Sequence, residues 1–218
     1  MRKLVIFGAA EQAELAHFYF TEEGAYEVVA FVVDDDYLQE MSFCGKPLIG
    51  LSQLAKLYPP QDVCAFVALG YTKMNGLREA KYHALKAMGY ELVTYVSRFC
   101  HCFTKDIGEN CLILEDNTIQ PFVKIGNNVT LWSGNHIGHH SQIGDHSFIT
   151  SHVVISGGVK VGANSFLGVN ATIRDHITIG EYSLIGAGAI ITKSTEPRSL
   201  YKGIRSHPET IPSDQIRI

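Results

Sequence analysis

The sequence predicts a small α/β module followed by a parallel β-helix. Three observations carry this. Strand-like and helix-like runs alternate through the first 96 residues. From Ile107 the chain then repeats with a period of six over fifteen hexads. No apolar run approaches the length that spans a bilayer.

The front module takes its elements in turn. Leu4–Phe7 is a strand, Gly8-Ala9-Ala10 a tight turn, and Glu11–Thr21 a helix with Leu15, Ala16 and Tyr19 on one face. Tyr26–Val33 is a second strand and ends in Asp34-Asp35-Asp36. Leu51–Lys56 is a short helix. Val63–Leu69 is a third strand that runs into Gly70. Asn75–Met88 is a helix and Glu91–Val96 a fourth strand. Such alternation gives a parallel sheet. A strand, a glycine turn and a helix N-terminus can receive a phosphate. Acids at the end of the second strand can bind a ribose or a base edge. On the residues alone both features have plain alternatives. Gly8-Ala9-Ala10-Glu11-Gln12-Ala13 is not a G-x-G-x-x-G and also suits an ordinary strand-to-helix connection. Aspartate runs are common in surface turns.

The repeat is aliphatic at the first position of every hexad, from Ile107 through Ile149 and Leu167 to Ile191. The second position is Gly in eight hexads. The fifth is small in twelve, with Asn117, Asn135 and Ile177 as exceptions. Helical and ordinary strand patterns do not produce a period of six, whereas a β-helix does. Each hexad is one short strand and one corner. Its first and fifth residues point inward, and its fourth and sixth point out. Three hexads close a triangular coil, so residues eighteen apart stack at about 4.8 Å. The stretch makes about five coils. The second-position glycines are expected to supply corner geometry that side chains disfavour. Stacking predicts outward ladders: Asn110, Asn128, His146, Asn164 and Tyr182 on one edge, His140, Gly158 and His176 on another, Gly134, His152 and Asn170 on the third.

Domain boundaries are expected at 1–98 and 99–218, with residues 97–106 as the joint and 206–218 as a loosely packed tail. The net charge of −4 and pI near 6.2 provide no basic field, so nucleic acid is not the expected partner. Five cysteines, odd in number and without zinc-type pairing, suit a reduced, cytoplasmic setting. No membrane insertion is expected.

The hexads resemble those of the hexapeptide-repeat acyltransferase superfamily. That resemblance implies a left-handed coil, a homotrimer, and acyl-coenzyme A bound between adjacent prisms. A short Rossmann-like domain followed by such a prism resembles bacterial sugar acyltransferases of the sialic-acid O-acetyltransferase-like group. The group includes N-acetyltransferases of nucleotide-linked 4-amino-6-deoxy sugars used in surface glycans. The matching pieces are Phe7-Gly8-Ala9, Phe31-Val32-Val33-Asp34-Asp35 and Ala68-Leu69-Gly70. By this match Gly8 and Ala9 contact the nucleotide-linked amino sugar, Asp34 and Asp35 face its base, and Gly70 lines the same pocket. The family turn is richer in glycine than Gln12-Ala13 allows. The family's closing Pro-Ala pair is missing from Tyr201-Lys202-Gly203-Ile204-Arg205.

Six histidines fall within the repeat: His136, His139, His140, His146, His152 and His176. Packing at a β-helix corner does not require imidazole. Ile137-Gly138-His139-His140-Ser141-Gln142-Ile143-Gly144-Asp145 resembles the family's catalytic hexad, which makes His139 the general base. Such a base takes the proton that an amine or hydroxyl loses as it attacks the thioester of acetyl-coenzyme A. His140 stands where the family has an acid. Asp145 is the nearest acid in sequence, or His140 itself binds substrate. His136 is expected to touch substrate or a neighbouring subunit. Gly157 stacks on His139, and Gly157-Gly158 would let the thin pantetheine arm lie flat. The family match adds Ala187 as a second coenzyme contact. No metal is expected. A zinc enzyme of the γ-carbonic anhydrase type would need His140, His146 and His152 to converge, yet they fall on three different edges. O-acetylation of a sialic-acid-type sugar is the closer alternative to N-acetylation.

Overall fold

The computed structural model describes residues 1–22, 26–208, 210, 211 and 215. Most of the expected tail lies outside the described residues. In the front module β1 is Arg2–Phe7, α1 Glu11–Glu22, β2 Tyr26–Val33, β3 Ser42–Phe43, β4 Lys46–Gly50, α2 Leu51–Leu57, β5 Cys64–Val67 and α3 Gly76–Ala87. The sheet order is β3-β4-β2-β1-β5. All neighbours are parallel except β3 and β4, which form a hairpin. That hairpin was not foreseen. Its two-residue loop, Cys44-Gly45, has positive φ at both positions (47° and 70°). This is the turn whose twist matches paired strands, but here a cysteine replaces the usual Asn or Asp. The chain leaves β1 towards β2 and later returns to its other side as β5. The carboxyl end of β1 is therefore a topological switch point, where α/β sheets bind ligands.

The expected strand Glu91–Val96 divides. Leu92 bridges Ala65 at the edge of the front sheet, while Tyr95–Val96 pairs with Leu112–Ile113 as the first strand of the prism. His101–Cys102 pairs with Thr118–Ile119. Coil stacking therefore starts upstream of Ile107. At the far end Leu200–Tyr201 pairs with Leu184–Ile185.

The prism is a parallel β-helix with three faces. The first carries Lys124–Ile125, Gln142–Ile143, Lys160–Val161 and Thr178–Ile179. The second runs from Leu112–Ile113 through Phe148–Ile149 to Leu184–Ile185. The third carries Thr118–Ile119, His136–Ile137, Val154–Ile155, Thr172–Ile173 and Ile190–Ile191. First- and fifth-position side chains form one continuous core, including Ile137, Ile155, Val153, Val159 and Ile173, all fully buried.

The corner geometry differs from expectation. Positive φ, between 54° and 78°, occurs at fourteen successive fourth positions from Asn110 to Gly188. The second-position glycines lie outside that region. They are glycine for a steric reason: a Cβ on Gly138 would sit 2.5 Å from Gly157 N in the next coil. Nine of the fourteen left-handed corners are Asn, Asp or His, the non-glycine residues that tolerate this conformation best. His140, His146, His152 and His176 thus have a backbone reason to be histidine. His139 and His136 do not.

The second face is covered by the front module. Leu112 and Leu114 join the front core, and the Tyr71 ring packs on Phe148 and Phe166. Polar contacts fix the two units. Arg78 is buried and donates to Thr130 Oγ1 (2.8 Å) and the His146 carbonyl (2.7 Å). With no carboxylate beside it, burial presses its pKa down to about 10. Asn75 donates to the Asn164 carbonyl at 3.1 Å.

Candidate active site and nucleotide cavity

His139 occupies the third position of its hexad, on the edge between the third and first faces. Its backbone is held on both sides. The His139 N–H donates to Gln120 Oε1 (2.8 Å), and its carbonyl accepts from Gly158 N–H (2.8 Å). The ring is exposed and lies over Gly157. A Cβ on Gly157 would meet His139 Cε1 at 2.7 Å and Nε2 at 2.8 Å. All three of the nearest ring atoms lie within 3.2 Å of that position, so the face of the imidazole covers Gly157. His176 in turn covers Gly158, whose Cβ would meet His176 Nδ1 at 2.5 Å. The flat bed expected for a pantetheine arm over Gly157-Gly158 is therefore filled by the two rings. The role of His176 was not singled out from sequence, although its ladder was.

His140 lies beside His139, with the two Nδ1 atoms 3.1 Å apart. Asp145 sits on a different edge and accepts from Asn127 N–H at 2.6 Å, so it does not orient His139. His136 projects from the third face between Thr118 and Val154, half-buried and three residues before His139. Ala187 is exposed on the edge between the second and third faces, away from Gly157 within one chain. The remaining histidines do not converge: His140, His146 and His152 occupy three separate edges.

Glu79, His83 and His146 do approach one another, with ligand atoms within 4.8 Å. Hydrogen bonding decides what this cluster can do. Val67 N–H donates to Asn110 Oδ1 (2.8 Å), which fixes the amide of Asn110. Asn110 Nδ2 then donates to Asn128 Oδ1, and Asn128 Nδ2 to His146 Nδ1 (2.9 Å). His146 therefore keeps its hydrogen on Nε2, the atom facing Glu79 at 3.6 Å. That nitrogen has no lone pair to offer a cation. The cluster is a domain clasp, reinforced by Asn164 donating to Glu79.

The second half of the site is a cavity of about 440 Å³ at the switch point of the front sheet. Phe7, Gly8, Ala9, Val33, Asp34 and Leu69 line it from the sheet. Gly8 has φ of 132°, and a Cβ there would sit 2.6 Å from the Ala68 carbonyl oxygen, so only glycine fits. Asp34 and Asp35 part company. Asp34 faces the cavity and pairs with Lys81, while Asp35 turns to accept from Ser52 Oγ (2.6 Å) at the start of α2. Gly70 does not line the cavity, although Leu69 does. Lys81, Leu77, Tyr37 and Gln39 complete the lining and were not foreseen. Lys81 supplies the positive charge that the α1 N-terminus lacks, since Glu11 and Glu14 already occupy that first turn. A larger hollow of about 560 Å³ lies around Arg2 and Asp62 at the amino end of the sheet. Its Arg2 is paired with Glu91.

Residues 106–138, 122–157 and 158–193 match the family described as bacterial transferase hexapeptide (six repeats). The matched residues all lie within the prism. No curated protein is close enough in sequence to register as a relative. Solved structures share the fold over nearly the whole chain. PerB from Caulobacter crescentus, solved with CoA and GDP-perosamine, superposes with a TM-score of 0.81 at 24% identity, covering 93% of this chain and 95% of that one. The acetyltransferase domain of PglB from Neisseria gonorrhoeae FA1090, with acetyl coenzyme A, gives 0.81 at 22% identity over 93% and 96%. WeeI from Acinetobacter baumannii AYE gives 0.69 at 19% identity over 92% and 96%. The hexapeptide prism and its front module together thus have the fold of these three proteins. Among the described residues no helix is long and apolar enough to cross a membrane.

Proposed function

We propose that this protein is an acetyl-CoA-dependent N-acetyltransferase acting on the amino group of a nucleotide-linked amino-deoxy sugar of bacterial surface glycans. The observation that carries the reading is the exposed His139 ring, held against Gly157 on the edge of the prism. A pantetheine arm laid along that edge beside the ring brings its thioester to His139 Nε2. The cavity bearing Asp34 and Lys81 offers an acceptor for ribose hydroxyls and a cation for a diphosphate. The resemblance to PerB, solved with CoA and GDP-perosamine, supports both ligands.

In this reaction the sugar amine attacks the thioester carbonyl. The C–N bond forms, the C–S bond breaks, and the ammonium proton passes to His139 Nε2. The imidazolium then gives that proton to the departing thiolate. No covalent enzyme intermediate is needed.

The site is completed by a second copy of the chain in a homotrimer. The front module covers the second face, and Lys124 and Lys160 line the first. The third face presents Thr118, His136, Val154, Thr172 and Ile190, with no charge in that row and Ile190 70% exposed. His139 and Gly157 stand on one edge of this face and Ala187 on the other. Packing third faces about a threefold axis brings the His139 edge of one copy to the Ala187 edge of the next, and His136 into the same seam.

The test is acetyl transfer from acetyl-CoA to a panel of nucleotide-linked amino sugars, with free sugars as controls. Transfer to the nucleotide-linked amines, lost on the order of 10²-fold or more in a folded His139→Ala protein, is the expected result. Transfer to free sugar hydroxyls alone would overturn the N-acetyl reading.

A further inference from the structure

We infer that His140 is a positioning residue that fixes the tautomer of His139, standing in for a carboxylate with a neutral imidazole. The inference rests on the reading of His139 as general base and concerns what holds that base. The two Nδ1 atoms are 3.1 Å apart, so one of them carries the shared hydrogen. With Nδ1 engaged by His140, Nε2 is the other nitrogen of this exposed ring, and as general base it must receive the proton there. Its lone pair must therefore be on Nε2 and its hydrogen on Nδ1. His139 Nδ1–H then donates to His140 Nδ1, and His140 keeps its own hydrogen on Nε2.

Among the described residues, neither acid nearest His139 in the repeat takes this role. Asp145 is engaged with Asn127 on another edge. Asp175, on the same edge but two coils beyond, lies 3.6 Å from Arg174 Nε. Gln120 receives the backbone N–H of His139 and leaves the ring to its neighbour.

His140 is itself held. Its φ of 60° sets the direction of the side chain, and its N–H reaches the Pro121 carbonyl at 3.3 Å. Its ring lies against Phe122, with centroids 4.7 Å apart and planes tilted by 36°. This gives Phe122, 69% exposed, a task on an otherwise polar edge. The left-handed corner accounts for a residue of the Asn, Asp or His type at position 140. The Nδ1 contact accounts for the presence of an acceptor there.

Three substitutions separate this role from a structural or substrate-binding one. His140→Asn keeps the left-handed corner and places an amide oxygen near the Nδ1 position. His140→Gly keeps the corner and removes the acceptor. His140→Asp adds a negative charge beside the base. All three are assayed for kcat, KM of both substrates, pH profile and thermal unfolding, alongside His139→Ala. The expected result is kcat within about threefold of the parent for Asn, and a loss on the order of 10- to 100-fold in kcat for Gly with both KM values unchanged. In the Asp variant the acid limb of kcat/KM moves to higher pH, because a nearby anion favours the imidazolium. Full kcat in a folded His140→Gly protein overturns the inference. So does a loss confined to KM that Asn fails to restore. An active His139→Ala protein would instead remove the base reading itself, so the two failures are distinguishable.

Discussion

Replacing Gly157 by Ala separates the placement of His139 from the stability of the prism. The backbone of Gly157 does not lie in the left-handed region, so alanine is compatible with it. The new methyl carbon would lie 2.7 Å from His139 Cε1, 2.8 Å from Nε2 and 3.2 Å from Nδ1. Ordinary contact between such atoms begins near 3.4 Å, so the ring must retreat by roughly 0.7 Å. The ring is exposed and can shift outward, and the cost to folding should stay below about 1 kcal/mol. Catalysis tolerates far less. Misplacement of a reacting group by most of an ångström costs on the order of 10- to 100-fold in rate, or about 1.4 to 2.8 kcal/mol of transition-state free energy. The assay is initial-rate acetyl transfer with acceptor and acetyl-CoA varied in turn, together with thermal unfolding. A Gly157→Ala protein that unfolds like the parent but loses kcat/KM by that factor fits the reasoning. Undiminished kcat/KM would refute the placement of the thioester at the His139 ring.

Three further outcomes are expected. Gly138→Ala should do the reverse of Gly157→Ala: its methyl meets backbone atoms of the next coil at 2.5 Å, which cannot step aside, and denaturant unfolding should show a loss of about 3 kcal/mol. Lys81→Met should raise KM for the nucleotide-linked sugar at least about tenfold while leaving KM for acetyl-CoA unchanged, because Lys81 lines the front cavity and not the edge that carries His139. His146 gives a pH dependence. Burial lowers its pKa below the usual imidazole value, opposed by Glu79 and Asp145 and reinforced by Arg78 and His83. Below about pH 6.5 the unfolded chain binds a proton that the folded chain resists, so this residue's effect is a loss of stability as pH falls from 7 towards the folded pKa. Urea midpoints at pH 7.5 and 5.5 should show a smaller drop for His146→Asn than for the parent.

The prism was legible in sequence because its interior demands one aliphatic residue every sixth position and little else. The stacking of His139 on Gly157 followed from the same arithmetic, since eighteen residues make one coil. The reason for the glycines was not legible. Sequence alone does not say which hexad position bends the backbone, and the left-handed corners fall two residues after the glycines, on Asn and His. Asp34 and Asp35 looked equivalent as neighbours, but Ser52 of α2 takes Asp35 for itself. Lys81 carried no signal, being one cation on a helix that only the fold brings to the end of β2. Within the clasp the ladder Asn110-Asn128-His146 followed from the eighteen-residue step, but its ties to the front module did not: Val67–Asn110 and Glu79–Asn164 join residues 43 and 85 positions apart.

The most direct test is a crystal structure of the protein with CoA. The account predicts the pantetheine arm lying along the prism edge that carries His139, its sulfur within about 3 to 4 Å of His139 Nε2, and Ala187 of a second copy closing the other side. CoA seated away from the edge that carries His139, or a solitary chain that binds it without a neighbour, would contradict the account.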